Sequence, residues 1–186
     1  MNYLFSLDTN LFFLINHLPH NFFWDYFFGL LSFVGEYGAV WFFLTFLLFL
    51  KNLALKGNAL RSYEAKKLAV IWIAGFFTLF LALILKKIFG RVRPEFVLQN
   101  VILPFGPDSS FSFPSGHALT SFVFAALLVK LDKLDKLGNG LIYSLAVLIS
   151  FSRIYLGYHY PLDIVAGAII GIIVAKMAIR VSDVRR

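Results

Sequence analysis

Three short stretches combine residues able to do polar chemistry with apolar surroundings: KKIFGRVRP (Lys86 to Pro94), SFPSGHALTSF (Ser112 to Phe122) and SRIYLGYHYPLD (Ser152 to Asp163). In the first, Lys86 stands seven residues before Arg93, with Pro94 next. Lys86 closes an apolar run, where a lysine can simply extend its ammonium to the interface. Arg93 is different, because Pro94 biases it to an extended backbone and a fixed guanidinium suits bidentate contact with a phosphate. In the second, Ser115 is a candidate N-cap and Gly116 lets the backbone approach a ligand closely. A helix start offers free N–H groups to an anion; plain capping, with His117 resting at the interface, is the competing reading of that motif alone. In the third, Pro161 suits the first position of a helix, so Asp163 falls in its first turn and His159 just outside it. An aspartate there favours the helix dipole in any case. The spacing also lets it bond one ring nitrogen of His159 and leave the other free to attack.

Taken together, two histidines, one carboxylate and three cations accompany a helix start that can offer N–H groups, and that inventory suits phosphoryl transfer. His159 would be the nucleophile and Asp163 its orienter. Lys86, Arg93 and Arg153, with the Ser115 and Gly116 region, would neutralise the oxygens of the transition state. His117 would protonate the departing oxygen as general acid.

The elements that must position these groups are membrane helices. The chain has 186 residues, of which 60% are hydrophobic, and a mean hydropathy of +0.80, more apolar than a soluble core of this size needs. The opening MNYLFSLDTN lacks a basic n-region, so insertion is expected through the first apolar helices rather than a cleaved leader. With no cysteine, disulfides, thiolate metal sites and cysteine nucleophiles are excluded. The formal charge of +7 would suggest nucleic acid in a soluble protein, but here most basic residues lie in short loops between apolar runs, so no nucleic-acid partner is expected.

A helix crossing the hydrocarbon core needs about 20 mostly apolar residues. Five segments approach this: Tyr37 to Leu50, Leu68 to Leu85, Ala118 to Val129, Leu141 to Ile154 and Ile164 to Ala178. Upstream, Pro19 divides an aromatic-rich region into Leu7 to Leu18, read as an interfacial or partly inserted helix, and Phe22 to Val34, read as most of a first span. The expected fold is an all-α integral membrane bundle of about six crossing helices, five as the fallback, with an N-terminal interfacial helix, in one transmembrane domain over residues 1–186. Lys51, Lys56, Arg61, Lys66 and Lys67, then Lys130, Lys133 and Lys136, then Arg180, Arg185 and Arg186 mark three basic segments on one side. The positive-inside rule makes that side cytoplasmic and places the three motifs on the outward face of the cell membrane. The Gly- and Pro-rich stretch from Gly90 to Gly116 is a long outward loop, and such loops are commonly functional.

At these residues the chain resembles the type 2 phosphatidic acid phosphatase superfamily. KKIFGRVRP, PSGH (Pro114 to His117) and SRIYLGYHYPLD look like its three signature motifs, in order and with matching internal spacing, and with the connecting spans they cover roughly Leu68 to Ala178. The resemblance implies a helical membrane enzyme that removes phosphate from lipid phosphates or diphosphates without a metal or other cofactor, through a phosphohistidine intermediate. Position by position it makes His159 the nucleophile, Asp163 its partner, His117 the general acid, and Lys86, Arg93, Ser115, Gly116 and Arg153 the phosphate ligands. The family also contains soluble vanadium-dependent haloperoxidases, and the hydrophobicity here argues against that branch. Small bacterial members include undecaprenyl diphosphate phosphatases, phosphatidylglycerophosphate phosphatases and lipid A 1-phosphatases, which the motif residues do not separate.

Three other readings compete. A non-catalytic anionic-lipid binder or flippase would use the same cations but gives the histidines and Asp163 no task. A metal site of His117, His159 and Asp163 has plausible ligand types, yet Lys86, Arg93 and Arg153 would repel the cation. A phosphotransferase would pass the phosphoryl group to another lipid instead of water. The oligomeric state is not expressed in these residues.

Overall fold

The computed structural model describes residues 2–56, 61–132 and 134–182. Their helices are α1 (Asn2–Asn16), α2 (Phe22–Gly35), α3 (Ala39–Lys56), α4 (Arg61–Phe89), the single turn α5 (Pro94–Val97), α6 (Gly116–Asp132), α7 (Lys136–Tyr155) and α8 (Pro161–Ser182). The fold is all-α, as expected. Among the described residues, four helical runs are long and apolar enough to cross a membrane: Phe22–Ala54, Arg61–Val97, Lys136–Tyr155 and Pro161–Ser182. On α4, Ile73, Phe76, Phe77, Phe80 and Leu83 are exposed. A continuous apolar stripe of this kind suits hydrocarbon and not water.

The sequence reading differs from the structure at the start of the bundle. Phe22 to Val34 and Tyr37 to Leu50, expected as two crossings, form one 33-residue run. Between α2 and α3 lies only a 3-10 turn, Glu36–Gly38, with Tyr37 at φ 50 and Gly38 at φ 74. Three residues in that conformation bend the helix without turning it back. The contacts record the direction: Gly35 lies beside Ile149, Trp41 Nε1 donates to Ser121 Oγ at 3.0 Å, and Asn52 Nδ2 reaches Asp132 Oδ1 at 3.1 Å. The chain thus descends once alongside α7 and α6, and α1 lies at the end of the bundle that holds the three motifs. Helix α1 exposes an apolar face, including Leu4, Leu7, Leu11 and Leu14, as an interfacial helix does, and its other face docks on the bundle. Phe12, Asp8 and Asn16 are buried, and Asn16 Nδ2 donates to the carbonyls of Ile102 and Tyr155, both at 2.9 Å.

Helix α6, at 17 residues about 25 Å long, is enclosed by α4, α7 and α8. Its Leu119, Val123, Phe124, Leu127 and Leu128 are wholly buried, and a helix apolar on all sides belongs in the centre. Its closest neighbour is α8, where Gly167 and Gly171 repeat at four residues. A Cβ on Gly171 would lie 2.5 Å from the Leu119 carbonyl oxygen, and one on Gly167 would lie 2.7 Å from that of Ser115. Small residues at this spacing let membrane helices approach backbone to backbone.

At the opposite end from the motifs, Lys67 Nζ sits 2.5 Å from both Glu64 Oε2 and Asp132 Oδ1, and Asn52 Nδ2 donates to the same two carboxylates at 3.1 Å. Buried charges are tolerable when paired in this way, and the cluster ties α3, α4 and α6. Lys51, Arg61, Lys66, Lys130, Lys136 and Arg180 belong to helix ends on that side; Lys133, Arg185 and Arg186 lie outside the described residues.

Gly171→Ala is expected to destabilise the protein by about 1–3 kcal/mol, since the added methyl must push α6 and α8 apart. Gly140→Ala in α7, where nothing lies within 4 Å of the added atom, should be neutral or slightly stabilising. Thermal unfolding in one detergent compares them; equal midpoints would show that the close approach contributes nothing.

Candidate functional site

All eight residues singled out by spacing lie at one end of the bundle, seven at or beside helix ends and His159 in the short connection between α7 and α8. Helix α8 starts at Pro161, whose missing N–H costs nothing at that position. Asp163, two residues on, reaches back so that the Tyr160 N–H donates to its Oδ2 at 3.0 Å, as a carboxylate in the first turn commonly does. Ser115 caps α6 in a comparable way, accepting from the Ala118 N–H at 3.4 Å. The two helix starts are joined directly, for the Ser115 N–H donates to the Asp163 carbonyl at 3.1 Å. Gly116 begins α6, and no large side chain crowds it, the nearest atom to an added Cβ being that of Ala82 at 4.0 Å.

His159 is 1% exposed, and its Nδ1 lies 3.5 Å from Asp163 Oδ2, longer than the direct bond expected from spacing. Ser112 accounts for the difference. Its hydroxyl donates to Asp163 Oδ2 and lies 3.4 Å from His159 Nδ1, so it shares the carboxylate with the imidazole. The stronger partner of Asp163 is Arg91, whose Nη1 donates to Oδ1 at 2.6 Å. His159 Nε2 makes no hydrogen bond among the described residues. Burial first, and then the positive charges of Arg93, Arg153 and Lys86, hold the His159 imidazole well below its ordinary pKa, so it is neutral near pH 7 and its free nitrogen carries a lone pair.

The cations gather around one carboxylate that the sequence reading passed over. Arg93, extended at φ −72, ψ 157 ahead of Pro94, is 1% exposed. Its Nε donates to the Ser110 carbonyl at 2.6 Å, its Nη1 to the Tyr158 carbonyl at 2.8 Å and its Nη2 to Asp108 Oδ2 at 2.7 Å. Arg153 Nη2 lies 3.5 Å from the same Asp108 oxygen, its guanidinium stacks 4.1 Å above the Tyr158 ring, and its buried Nε has no hydrogen-bond partner among the described residues. Lys86 Nζ, closing α4, donates to Ser110 Oγ at 3.0 Å and to the Phe111 carbonyl at 2.5 Å. Against the opposing effect of burial, the Ser110 amide and the charges of Arg93 and Arg153 hold Asp108 below the ordinary carboxylate range.

His117 faces the kinked run. Its Nε2 lies 3.0 Å from the Ser32 carbonyl, which can only accept, so that nitrogen carries a proton. Arg153 Nη1 donates to Ser32 Oγ at 2.5 Å, which brings His117 and Arg153 to the same turn of α2. Beside Ser32 and Arg153 opens a cavity of about 430 Å³ lined by Tyr26, Leu30 and Phe33 of α2, by Glu36 of the 3-10 turn, and by Phe105 and Tyr158. Among the described residues, no three His, Asp or Glu side chains converge as metal ligands do.

Arg91, Ser112, Asp108, Ser32 and Asp8 are the site residues that spacing did not reveal. Arg91 stands inside KKIFGRVRP, two residues before Arg93, so a second guanidinium in that motif was the available signal. Ser112 opened another quoted stretch. Asp8, Ser32 and Asp108 reach the site only through tertiary packing.

The family model described as the PAP2 superfamily matches residues 65–186. An undecaprenyl-diphosphatase of Sulfolobus acidocaldarius is 29% identical over 159 residues, 83% of this chain and 70% of that protein. A lipid A 4′-phosphatase of Bacteroides thetaiotaomicron is 34% identical over 180 residues, 92% of this chain and 75% of that one. The crystal structure of Aquifex aeolicus LpxE superposes with a TM-score of 0.75 at 28% identity, over 94% of this chain and 95% of that one. A helical membrane bundle that gathers two histidines, a buried carboxylate and a group of cations at one end, matched by that family over most of its length, belongs to the PAP2 superfamily and is one of its membrane phosphatases.

Proposed function

We propose that the protein hydrolyses a phosphomonoester or diphosphate of a membrane lipid through a phosphohistidine on His159. The observation that carries this reading is the placement of that imidazole: its Nδ1 faces Asp163 and Ser112 and its Nε2 is unengaged among the described residues, while burial and the nearby cations favour its neutral form. In the first step Nε2 bonds to phosphorus as the bond from phosphorus to the lipid oxygen breaks, and His117 protonates the departing oxygen. In the second, water bonds to phosphorus and gives its proton to His117, the bond to Nε2 breaks and phosphate leaves. His117 holds one proton against the Ser32 carbonyl, so as an acid it acts in the doubly protonated form or by releasing that contact. Lys86, Arg93 and Arg153, with the Ser115 hydroxyl and the Gly116 N–H, would neutralise the equatorial oxygens. These fixed cations supply the positive charge such a transition state needs.

The reacting group of a lipid phosphate sits at headgroup level, where helix ends and their loops place these residues. Undecaprenyl diphosphate, phosphatidylglycerophosphate and lipid A 1-phosphate are the substrate classes that the resemblance and the relatives' names support. We place the site on the outward, periplasmic or extracellular face of the cell membrane, because the basic helix ends gather on the other side, and take residues 1–186 as one membrane domain. Transfer of the phosphoryl group to a second lipid would use the same first step.

Asp108 now has a reading. It presents to Arg93 and Arg153 the kind of anion that a phosphoryl oxygen would present, so substrate must displace it. Asp108→Asn is expected to lower the inhibition constant for inorganic phosphate or vanadate about tenfold or more, in line with the roughly 1.5–3 kcal/mol typical of a bond to a charged group. Its negative charge also raises the His159 pKa. Removing it should therefore move the acid limb of kcat/KM, which reports the free enzyme, to lower pH. An unchanged inhibition constant and limb would show that the carboxylate does not compete.

His159→Ala should lower phosphate release by roughly a thousandfold or more while the protein stays folded in detergent, and acid-labile phosphate on the protein, trapped from labelled substrate, should disappear. Near-full activity in that variant would sink the mechanism; a normal enzyme that never incorporates label would favour a binder or a direct attack by water.

A further inference from the structure

Asp163 does not stand alone beside His159. Its Oδ2 accepts from Ser112 and from the Tyr160 N–H, and its Oδ1 accepts from Arg91 Nη1 at 2.6 Å. The other terminal nitrogen of that guanidinium, Nη2, donates at 2.7 Å to Asp8 Oδ2 on α1. The remaining oxygen of Asp8 accepts from the Leu162 N–H at 2.8 Å, in the first turn of α8, one residue before Asp163. The Asp8 and Asp163 side chains are both 0% exposed. The guanidinium between them stacks 3.9 Å above the Tyr160 ring, which leaves it little freedom to turn.

We propose that Asp8 is a positioning residue for the phosphohistidine chemistry, acting through Arg91 to hold Asp163 against His159 and to draw part of the guanidinium's charge away from it. This rests on the reading of His159 as nucleophile. Attack by Nε2 makes the ring electron-poor, and the proton retained on Nδ1 becomes more acidic. The negative charge of Asp163 then stabilises that ring. A guanidinium paired with Asp163 alone would neutralise this field. One shared between two carboxylates leaves the pair of acids with a net negative charge, at a buried place where charge interactions are strong. The phosphoryl oxygens belong to Lys86, Arg93 and Arg153, which Asp8 does not touch, so its contribution falls on the chemical step and not on binding.

Asp8→Asn keeps the volume and can still accept from the Leu162 N–H, while it loses the charge. It is expected to lower kcat roughly ten- to a hundredfold, the range seen when the outer partner of an oriented histidine is removed, with KM within about a factor of two. Arg91→Gln should lower kcat at least as much, and Asp8→Asn should add nothing further in that background, because a residue acting through Arg91 has no route once Arg91 is gone. Activities are normalised to folded, monodisperse protein, and Asp8→Glu, which retains the charge, should recover part of the loss. The proposal is overturned if Asp8→Asn leaves kcat unchanged, if its effect appears in KM, or if the two losses multiply in the double variant. His159→Ala is run beside it: activity in that variant removes the nucleophile reading itself, whereas a dead His159→Ala with a normal Asp8→Asn removes only the role of Asp8.

Discussion

The backbone contact between α6 and α8 is the constraint on which the site depends. Both helices start at the same end of the bundle and run in the same direction, with Ser115, Leu119 and Val123 passing Gly167 and Gly171 in turn. Without side chains between them, the two helix starts meet closely enough for the Ser115 N–H to bond the Asp163 carbonyl. One close packing therefore sets the donors of the PSGH turn beside the carboxylate and imidazole of the third motif. Lipid offers helices no hydrophobic drive to associate, so small residues and polar bonds must supply the specificity. Here they supply both the bundle's stability and the geometry of the site.

A second constraint is charge. The motif end buries Arg93 and Asp163 almost completely, and unpaired ions at such positions would be prohibitive. The protein divides them into two groups. Asp8, Arg91 and Asp163 form a closed chain behind His159. Arg93, Arg153 and Lys86 surround the Asp108 and Ser110 segment of the loop. Only the second group is held by a partly exposed carboxylate that an incoming anion can replace, and it retains a buried unpartnered nitrogen on Arg153. The first group is saturated and positions; the second can exchange partners.

Much of this was legible from residues alone, for physical reasons. Apolar runs longer than a soluble helix needs gave the crossing elements, and Ser115, Pro94 and Pro161 act locally through capping and backbone restriction, so their roles could be read in place. The kink at Tyr37 was not legible, because a left-handed non-glycine residue leaves no mark in hydropathy, and two apolar runs with a short break read as two crossings. That misreading also hid α1, which the single descent brings to the motif end. Asp8 and Asp108 looked like ordinary polar residues. Their partners lie 83 and 15 positions away in sequence, and no spacing rule links an N-terminal helix to a guanidinium in another motif.

The position of these overlooked residues along the chain has a consequence for how the enzyme is built. The family match begins at residue 65, so α1, α2 and α3 lie outside it, yet α1 supplies Asp8 and α2 supplies Ser32 and half of the wall of the cavity beside Arg153. The eight motif residues come from the matched segment, and more than half of the residues lining the cavity beside Arg153 come from the unmatched one. If Arg153 binds a phosphoryl oxygen as proposed, that wall is where the rest of a lipid substrate would extend. Discrimination between substrates depends on interactions that differ in the transition state, and a wall on a separate helix can vary in Tyr26, Leu30 or Phe33 without disturbing His159 or its partners. The same separation explains why three motifs identify the chemistry and remain silent about the lipid.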